Sequence, residues 1–108
     1  MKGLVFKETG VVSLTDVKKP ELLKATDAIV KIALTTICGS DVHLVQGHIP
    51  TTPGYVLGHE YVGIVESVGK NVTNLKPGDR VAGPAAPYCG QCENCKKGII
   101  SHCLNGGV

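Results

Sequence analysis

Four cysteines within fifteen residues constrain this chain more than any other feature. Cys89, Cys92, Cys95 and Cys103 follow the spacing C-x2-C-x2-C-x7-C. The x2 gaps let a tight loop aim successive sulfurs at one point, and Gly90 and Gly98 supply the backbone freedom that such loops need. Four thiolates, each about 2.3 Å from a Zn2+ ion, make a closed tetrahedral structural site. A bacterial iron–sulfur run also opens C-x2-C-x2-C but continues x3-C-P, whereas here the last gap is seven residues and Leu104 follows Cys103. Lys96 and Lys97 stand where they would soften the negative charge of a thiolate cage, although surface lysines are usually just solvated. The expectation is a structural zinc lobe over about residues 84–108, with iron–sulfur and redox sites as the alternatives.

The start of the chain bears on the choice between metal and disulfide. Only Leu4, Val5 and Phe6 form an apolar run before Lys7, which is shorter than a secretory signal requires. A cytoplasmic location is therefore expected, where thiols stay reduced and clustered cysteines bind metal. No run approaches the ~18 apolar residues of a membrane span. The 11 Lys+Arg against 9 Asp+Glu leave a net charge of +2, scattered rather than gathered. That balance excludes a nucleic-acid partner bound through a basic patch.

The remaining composition favours strands and turns in one small domain. The 108 residues include 14 Val, 7 Ile and 8 Thr, whose β-branched side chains suit strands. The 14 Gly and 6 Pro imply frequent turns. Strands are expected over Lys2–Lys7 and Val11–Val17 around Glu8-Thr9-Gly10, then over Ala28–Leu34, Tyr61–Gly69 and Arg80–Ala82. A short helix is expected from Cys38 to Val45, ended by Gly47 and Pro50, with a loop at Thr51–Gly54 and a turn at Pro77-Gly78-Asp79. Gly63 and Gly69, inside or at the end of a strand, mark a bend or bulge.

The fifth cysteine, Cys38, lies in Cys38-Gly39-Ser40-Asp41-Val42-His43, and Gly58-His59-Glu60 follows later. Cys and His both ligate Zn2+, and an incomplete ligand set is the mark of a catalytic site with an open position. Taken singly, each residue has a plainer explanation. A lone Cys is commonly a small buried hydrophobe, a lone His a hydrogen-bonded surface group, and Ser40 or Asp41 a helix N-cap. Spacing alone leaves both readings open.

Taken in order, these motifs resemble the N-terminal part of the zinc-dependent medium-chain alcohol dehydrogenase family. The resemblance rests on Cys38–His43, then Gly58-His59-Glu60 leading to Gly63 and Val68-Gly69, then Pro77-Gly78-Asp79-Arg80-Val81, then the four-cysteine lobe. It implies a mainly β, GroES-like, partly open barrel with short helices and a zinc-binding lobe. It assigns Cys38 and His59 as ligands of a catalytic zinc, and Glu60 as an acidic neighbour able to approach the metal. Asp41 becomes the carboxylate that steadies the ligand histidine. Ser40 becomes the hydroxyl that takes the substrate proton, and His43 a later station of that relay. The resemblance also implies hydride transfer between an alcohol or polyol and NAD(P), and a dimeric or tetrameric parent enzyme. His48 and His102 match no functional position.

Members of that family are much longer and carry a Rossmann domain with a Gly-rich phosphate-binding turn; no G-x-G-x-x-G occurs here. The chain is thus expected to be a piece of a longer dehydrogenase that binds zinc without turning over on its own. Two other functions compete. A GroES-like binding or co-chaperonin module has about this length, but needs neither the four-cysteine lobe nor the Cys38/His59 pair. A zinc-ribbon module normally spaces its cysteines as two separated x2 pairs.

Overall fold

A computed structural model describes residues 1–106. Strand β1 (Lys2–Glu8) and strand β2 (Val11–Asp16) form an antiparallel hairpin with Leu4 opposite Leu14 and Phe6 opposite Val12. Gly10 closes the turn at φ 80°, a value that side-chain-bearing residues rarely adopt. A register shift falls between Phe6 and Glu8, and the neighbouring Val5 and Phe6 are both buried.

The loop expected at Thr51–Gly54 is present, and the segment after it, Tyr55–Leu57, lies along β1 as a strand-like strip. The Phe6 N–H donates to the Tyr55 carbonyl (2.9 Å), the Leu57 N–H to the Leu4 carbonyl (2.8 Å) and the Gly54 N–H to the Phe6 carbonyl (2.8 Å). This strip fixes the entry to Gly58-His59-Glu60.

Strands β3 (Ala28–Thr35), β4 (Tyr61–Val68) and β5 (Arg80–Gly83) form a second antiparallel sheet in the order β3-β4-β5. Val65 on the central strand is 2% exposed. The bulge expected at Gly63 lies elsewhere: Gly63 pairs with Ile32 and Val62 with Leu34, so the extra residue there is Ala33 on the facing strand, and the extra residue on β4 is Glu66, between the Ile29–Ser67 and Val30–Val65 pairs. A Cβ on Gly63 would lie 2.4 Å from the Lys31 carbonyl oxygen, so the two strands approach as closely as they do only because position 63 has no side chain.

Helix α1 (Gly39–Val45) connects β3 to β4. Its N-cap is Cys38, not Ser40 or Asp41; Asp41 sits in the first turn and accepts the Cys38 N–H at 2.9 Å. Beyond β5 the chain enters the cysteine lobe, where sequence reasoning placed no regular structure. A single helical turn, α2 (Glu93–Lys96), and a 3-10 turn (Ile100–His102) shape it.

The sheets do not close into a barrel, and much apolar surface stays exposed. The chain presents 7719 Å2 to solvent, against about 5,700 Å2 for a folded monomer of its mass. Leu14, Leu34 and Ile37 are 70%, 68% and 79% exposed. Among the described residues no helix is long and apolar enough to cross a membrane.

Candidate metal centres

The lobe gathers all four of its cysteines. The Sγ atoms of Cys89, Cys92, Cys95 and Cys103 lie within 4.8 Å of one another. Sulfurs at the corners of a zinc tetrahedron would stand about 3.8 Å apart, so the cluster has the size such an ion requires. Backbone amides converge on the sulfurs. Cys89 Sγ accepts from the N–H groups of Gln91 (3.4 Å) and Cys92 (3.3 Å), and Cys103 Sγ from those of Cys89 (3.3 Å) and Asn105 (3.4 Å). The Asn105 side chain adds a bond from Nδ2 to Cys89 Sγ at 3.5 Å.

These donors favour thiolate, and the thiols respond unequally. The Asn105 side chain, followed by the Gln91 and Cys92 amides, pulls Cys89 down from 9.0 to about 6. Cys92 is lowered by the Leu104 and Cys95 amides. Cys95 is pushed up to about 12, first by burial and then by its bond with Cys92. A cluster in which some sulfurs ionise readily and one holds its proton is the expected state of a metal cage without its cation, since the last negative charge is the hardest to add. Lys97, expected near the cage charge, instead pairs with Glu93 one turn earlier on α2.

The second constellation also assembles. Cys38 Sγ, a ring nitrogen of His59 and a carboxylate oxygen of Glu60 lie within 4.8 Å of one another, each partly buried. Three pieces of local structure bring them together. Cys38 caps α1, the strip along β1 delivers His59, and Glu60 enters β4. The Glu60 carbonyl is held by the Thr35 hydroxyl at 2.8 Å and the Thr36 N–H at 3.3 Å.

His59 is flanked on both nitrogens. Asp41 Oδ1 lies 3.3 Å from Nδ1, and Ser40 Oγ lies 3.0 Å from Nε2. A carboxylate beside Nδ1 favours the tautomer with its proton there, which leaves the Nε2 lone pair for a ligand. Asp41 is 8% exposed, and its Oδ1 is fully buried without a well-aligned hydrogen bond. A buried carboxylate oxygen facing an imidazole fits a cation on the far side of that ring, which would strengthen the Nδ1–H as a donor. By donor type and size, both clusters fit zinc.

Of the other residues singled out from sequence, His43 is exposed on α1 and is within hydrogen-bonding reach of His48 rather than of the metal cluster. His102 is exposed and bonds to the adjacent Ser101. A cavity of about 380 Å3 is lined by Leu4, Val12, Val42 and Leu57 beside α1, and Asp41 also borders it. Its walls offer packing surface, not ligands. Sequence reasoning missed Asn105, whose one visible signal was a side-chain amide two residues beyond a clustered cysteine.

Comparison with known proteins agrees with this geometry. The chain is 46% identical over 104 residues to an uncharacterized zinc-type alcohol dehydrogenase-like protein of Bacillus subtilis (strain 168), covering 95% of this chain and 28% of that protein. Its structure is similar to alcohol dehydrogenase TADH from Thermus sp. ATN1, with a TM-score of 0.95 and 45% identity over 100% of this chain and 31% of the other. It is also similar to a short chain alcohol dehydrogenase of Escherichia coli CFT073 complexed with NADH, with a TM-score of 0.82 and 31% identity over 100% of this chain and 31% of that one. The chain thus spans about a third or less of the length of these relatives. Residues 24–108 match the family described as the alcohol dehydrogenase GroES-like domain, and the chain belongs to that family.

Proposed function

We propose that this chain is the part of a zinc- and NAD(P)-dependent oxidoreductase that holds both metal ions, a structural zinc in the lobe and a catalytic zinc at Cys38, His59 and Glu60. The parent reaction is hydride transfer between an alcohol or polyol and NAD(P). The observation that carries this reading is the gathering of a thiol, an imidazole and a carboxylate within 4.8 Å, with Asp41 and Ser40 on the two nitrogens of His59. The zinc-type alcohol dehydrogenase relatives and the NADH-bound neighbour support it.

When bound, the zinc supplies Lewis acidity that makes an alcohol oxygen acidic near neutral pH, and the nicotinamide accepts the hydride. The chain's own residues bind, orient and move the proton. Asp41 holds the His59 ring and its tautomer. Ser40, one residue earlier in α1, stands 3.0 Å from Nε2; with that lone pair given to zinc, its hydroxyl would be free to accept the substrate proton. His43, one turn further along α1 and exposed, passes that proton to solvent. Cys38 and His59 would be the protein ligands of that zinc, leaving room for substrate, and Glu60 would stand close enough to reach it.

The test is alcohol oxidation by the full-length enzyme, followed through NAD(P)H absorbance. Cys38→Ser should abolish turnover while the lobe keeps its zinc. Turnover unchanged in that variant would overturn the assignment.

A further inference from the structure

The sequence holds four asparagines, Asn71, Asn74, Asn94 and Asn105, and only Asn105 is followed by a glycine. An asparagine so placed is chemically labile. The main-chain nitrogen of the next residue can attack its side-chain carbonyl carbon. A glycine leaves that nitrogen unshielded and its backbone free to bring it close.

Both members of the pair have a structural task in the cysteine lobe. Asn105 directs two N–H groups at the cage. Its Nδ2 donates to Cys89 Sγ at 3.5 Å, and its main-chain N–H donates to Cys103 Sγ at 3.4 Å. Gly106 packs against the start of the lobe, where a Cβ would stand 2.4 Å from the Pro87 carbonyl oxygen. The packing that requires glycine at 106 thus sets the most labile neighbour beside the asparagine that serves the sulfurs. Asn105 and Gly106 are both exposed to water, and the Gly106 N–H makes only a long bond, 3.5 Å, to the Cys103 carbonyl.

We infer that Asn105 is a deamidation site, restrained while zinc occupies the lobe, whose products loosen that zinc. The restraint rests on the structural zinc proposed above; the lability of Asn105 does not. The Gly106 nitrogen gives its proton to hydroxide and bonds to the Asn105 side-chain carbon. The side-chain nitrogen takes up a proton and leaves as ammonia, and a cyclic imide remains. Water then opens the imide at either carbonyl, giving aspartate or isoaspartate. One water is consumed and one ammonia released, with no oxidation or reduction.

Zinc would fix Cys89 and Cys103, and with them the two bonds that hold Asn105. Without the ion such a loop loses most of its folding free energy, and the side chain is free to turn onto the Gly106 nitrogen. Aspartate at 105 replaces the Nδ2 donor with a carboxylate, which sets a like charge against the Cys89 thiolate. Isoaspartate does the same and inserts a methylene before Gly106, which disturbs its fit against Pro87. The ammonia is lost to solvent, so a lobe emptied for long enough does not refill with its original affinity.

The test begins with a zinc count on the lobe of the full-length enzyme. Loaded and chelator-stripped samples are then held at mildly alkaline pH, and peptide mass spectrometry with isoaspartyl methyltransferase labelling scores residues 71, 74 and 105. Asn105 should convert roughly tenfold faster in the stripped enzyme, the factor that one hydrogen bond to a charged acceptor supplies. Asn71 and Asn74 should stay unconverted in both. Asn105→Asp, which reproduces one product, should release lobe zinc at about 10–100-fold lower chelator concentration, the loss typical of a group that hydrogen-bonds a metal ligand. A lobe that takes up no zinc at the outset would overturn the metal assignment and the restraint with it. With zinc counted in, equal conversion of Asn105 in both samples, no conversion in either, or undiminished zinc retention in Asn105→Asp would overturn this inference alone.

Discussion

The carboxylate of Asp41 faces Nδ1 of His59 at 3.3 Å from the first turn of the helix that Cys38 caps. One short element thus supplies a candidate ligand, the group that orients a second ligand, and Ser40 between them. Asp41 also accepts the Cys38 N–H at 2.9 Å through its other oxygen, so it ties the thiol and the imidazole into one unit.

Asp41→Asn should therefore loosen metal at this cluster and spare the lobe. Removing a partner that orients a ligand histidine typically costs 10–100-fold in metal affinity, so about that loss is expected here. Cobalt substitution separates the two sites by their visible spectra. Equal affinity in the variant would show that Asp41 serves only to accept the Cys38 N–H at the start of the helix.

Cys103 is the buried member of the lobe cluster, 6% exposed. Cys103→Ser should release the lobe zinc to a mild chelator and unfold residues 84–106, because structural zinc of this type supplies most of the folding free energy of its own loop. Hydrogen exchange should show loss of protection confined to the lobe, with β3, β4 and β5 protected as before.

Zinc retention in the lobe should depend on pH through Cys89. Its thiol is pulled from 9.0 to about 6, chiefly by Asn105. A lowered value means that the thiolate's contribution is fully present above pH 9 and is lost as pH falls through about 6. Asn105→Ala removes the largest cause, so the sulfur takes up its proton at higher pH. The midpoint of zinc release, followed with a colorimetric zinc dye, should move upward. A midpoint unmoved or lowered would show that the amide does not stabilise the thiolate.

Gly63→Ala should destabilise the three-stranded sheet. The new Cβ would meet backbone, the Lys31 carbonyl oxygen at 2.4 Å, which cannot rotate away. Overpacking of this kind costs about 1–3 kcal/mol, readable as a lower urea midpoint. Val65, two residues along the same strand and paired with Val30, should lose amide protection first.

Much of this was legible in the sequence, for physical reasons that differ by element. β-branched runs bounded by Gly and Pro marked all five strands to within a residue or two, whereas the bulges fall at Ala33 and Glu66, not at Gly63, with no glycine to mark them. Fixed cysteine spacing declared the lobe. Three things were hidden. The strip along β1 follows Pro53-Gly54, whose turn chemistry masks the pairing of Tyr55–Leu57. Cys38 as N-cap was unforeseen because serine and aspartate, the usual caps, stand beside it. The His43–His48 contact depends on Gly47 adopting φ 80°, and only reading those three positions together as a helix ending would have exposed it.

The central claim is two distinct zinc environments in one small β-scaffold, and counting metal per chain before and after a mild chelator tests it most directly. The expected result is zinc at both clusters, of which one equivalent survives the chelator; Cys103→Ser should abolish the resistant equivalent and Cys38→Ser only the labile one. Iron in place of zinc in the lobe, or a chelator-resistant zinc that disappears with Cys38, would contradict the account.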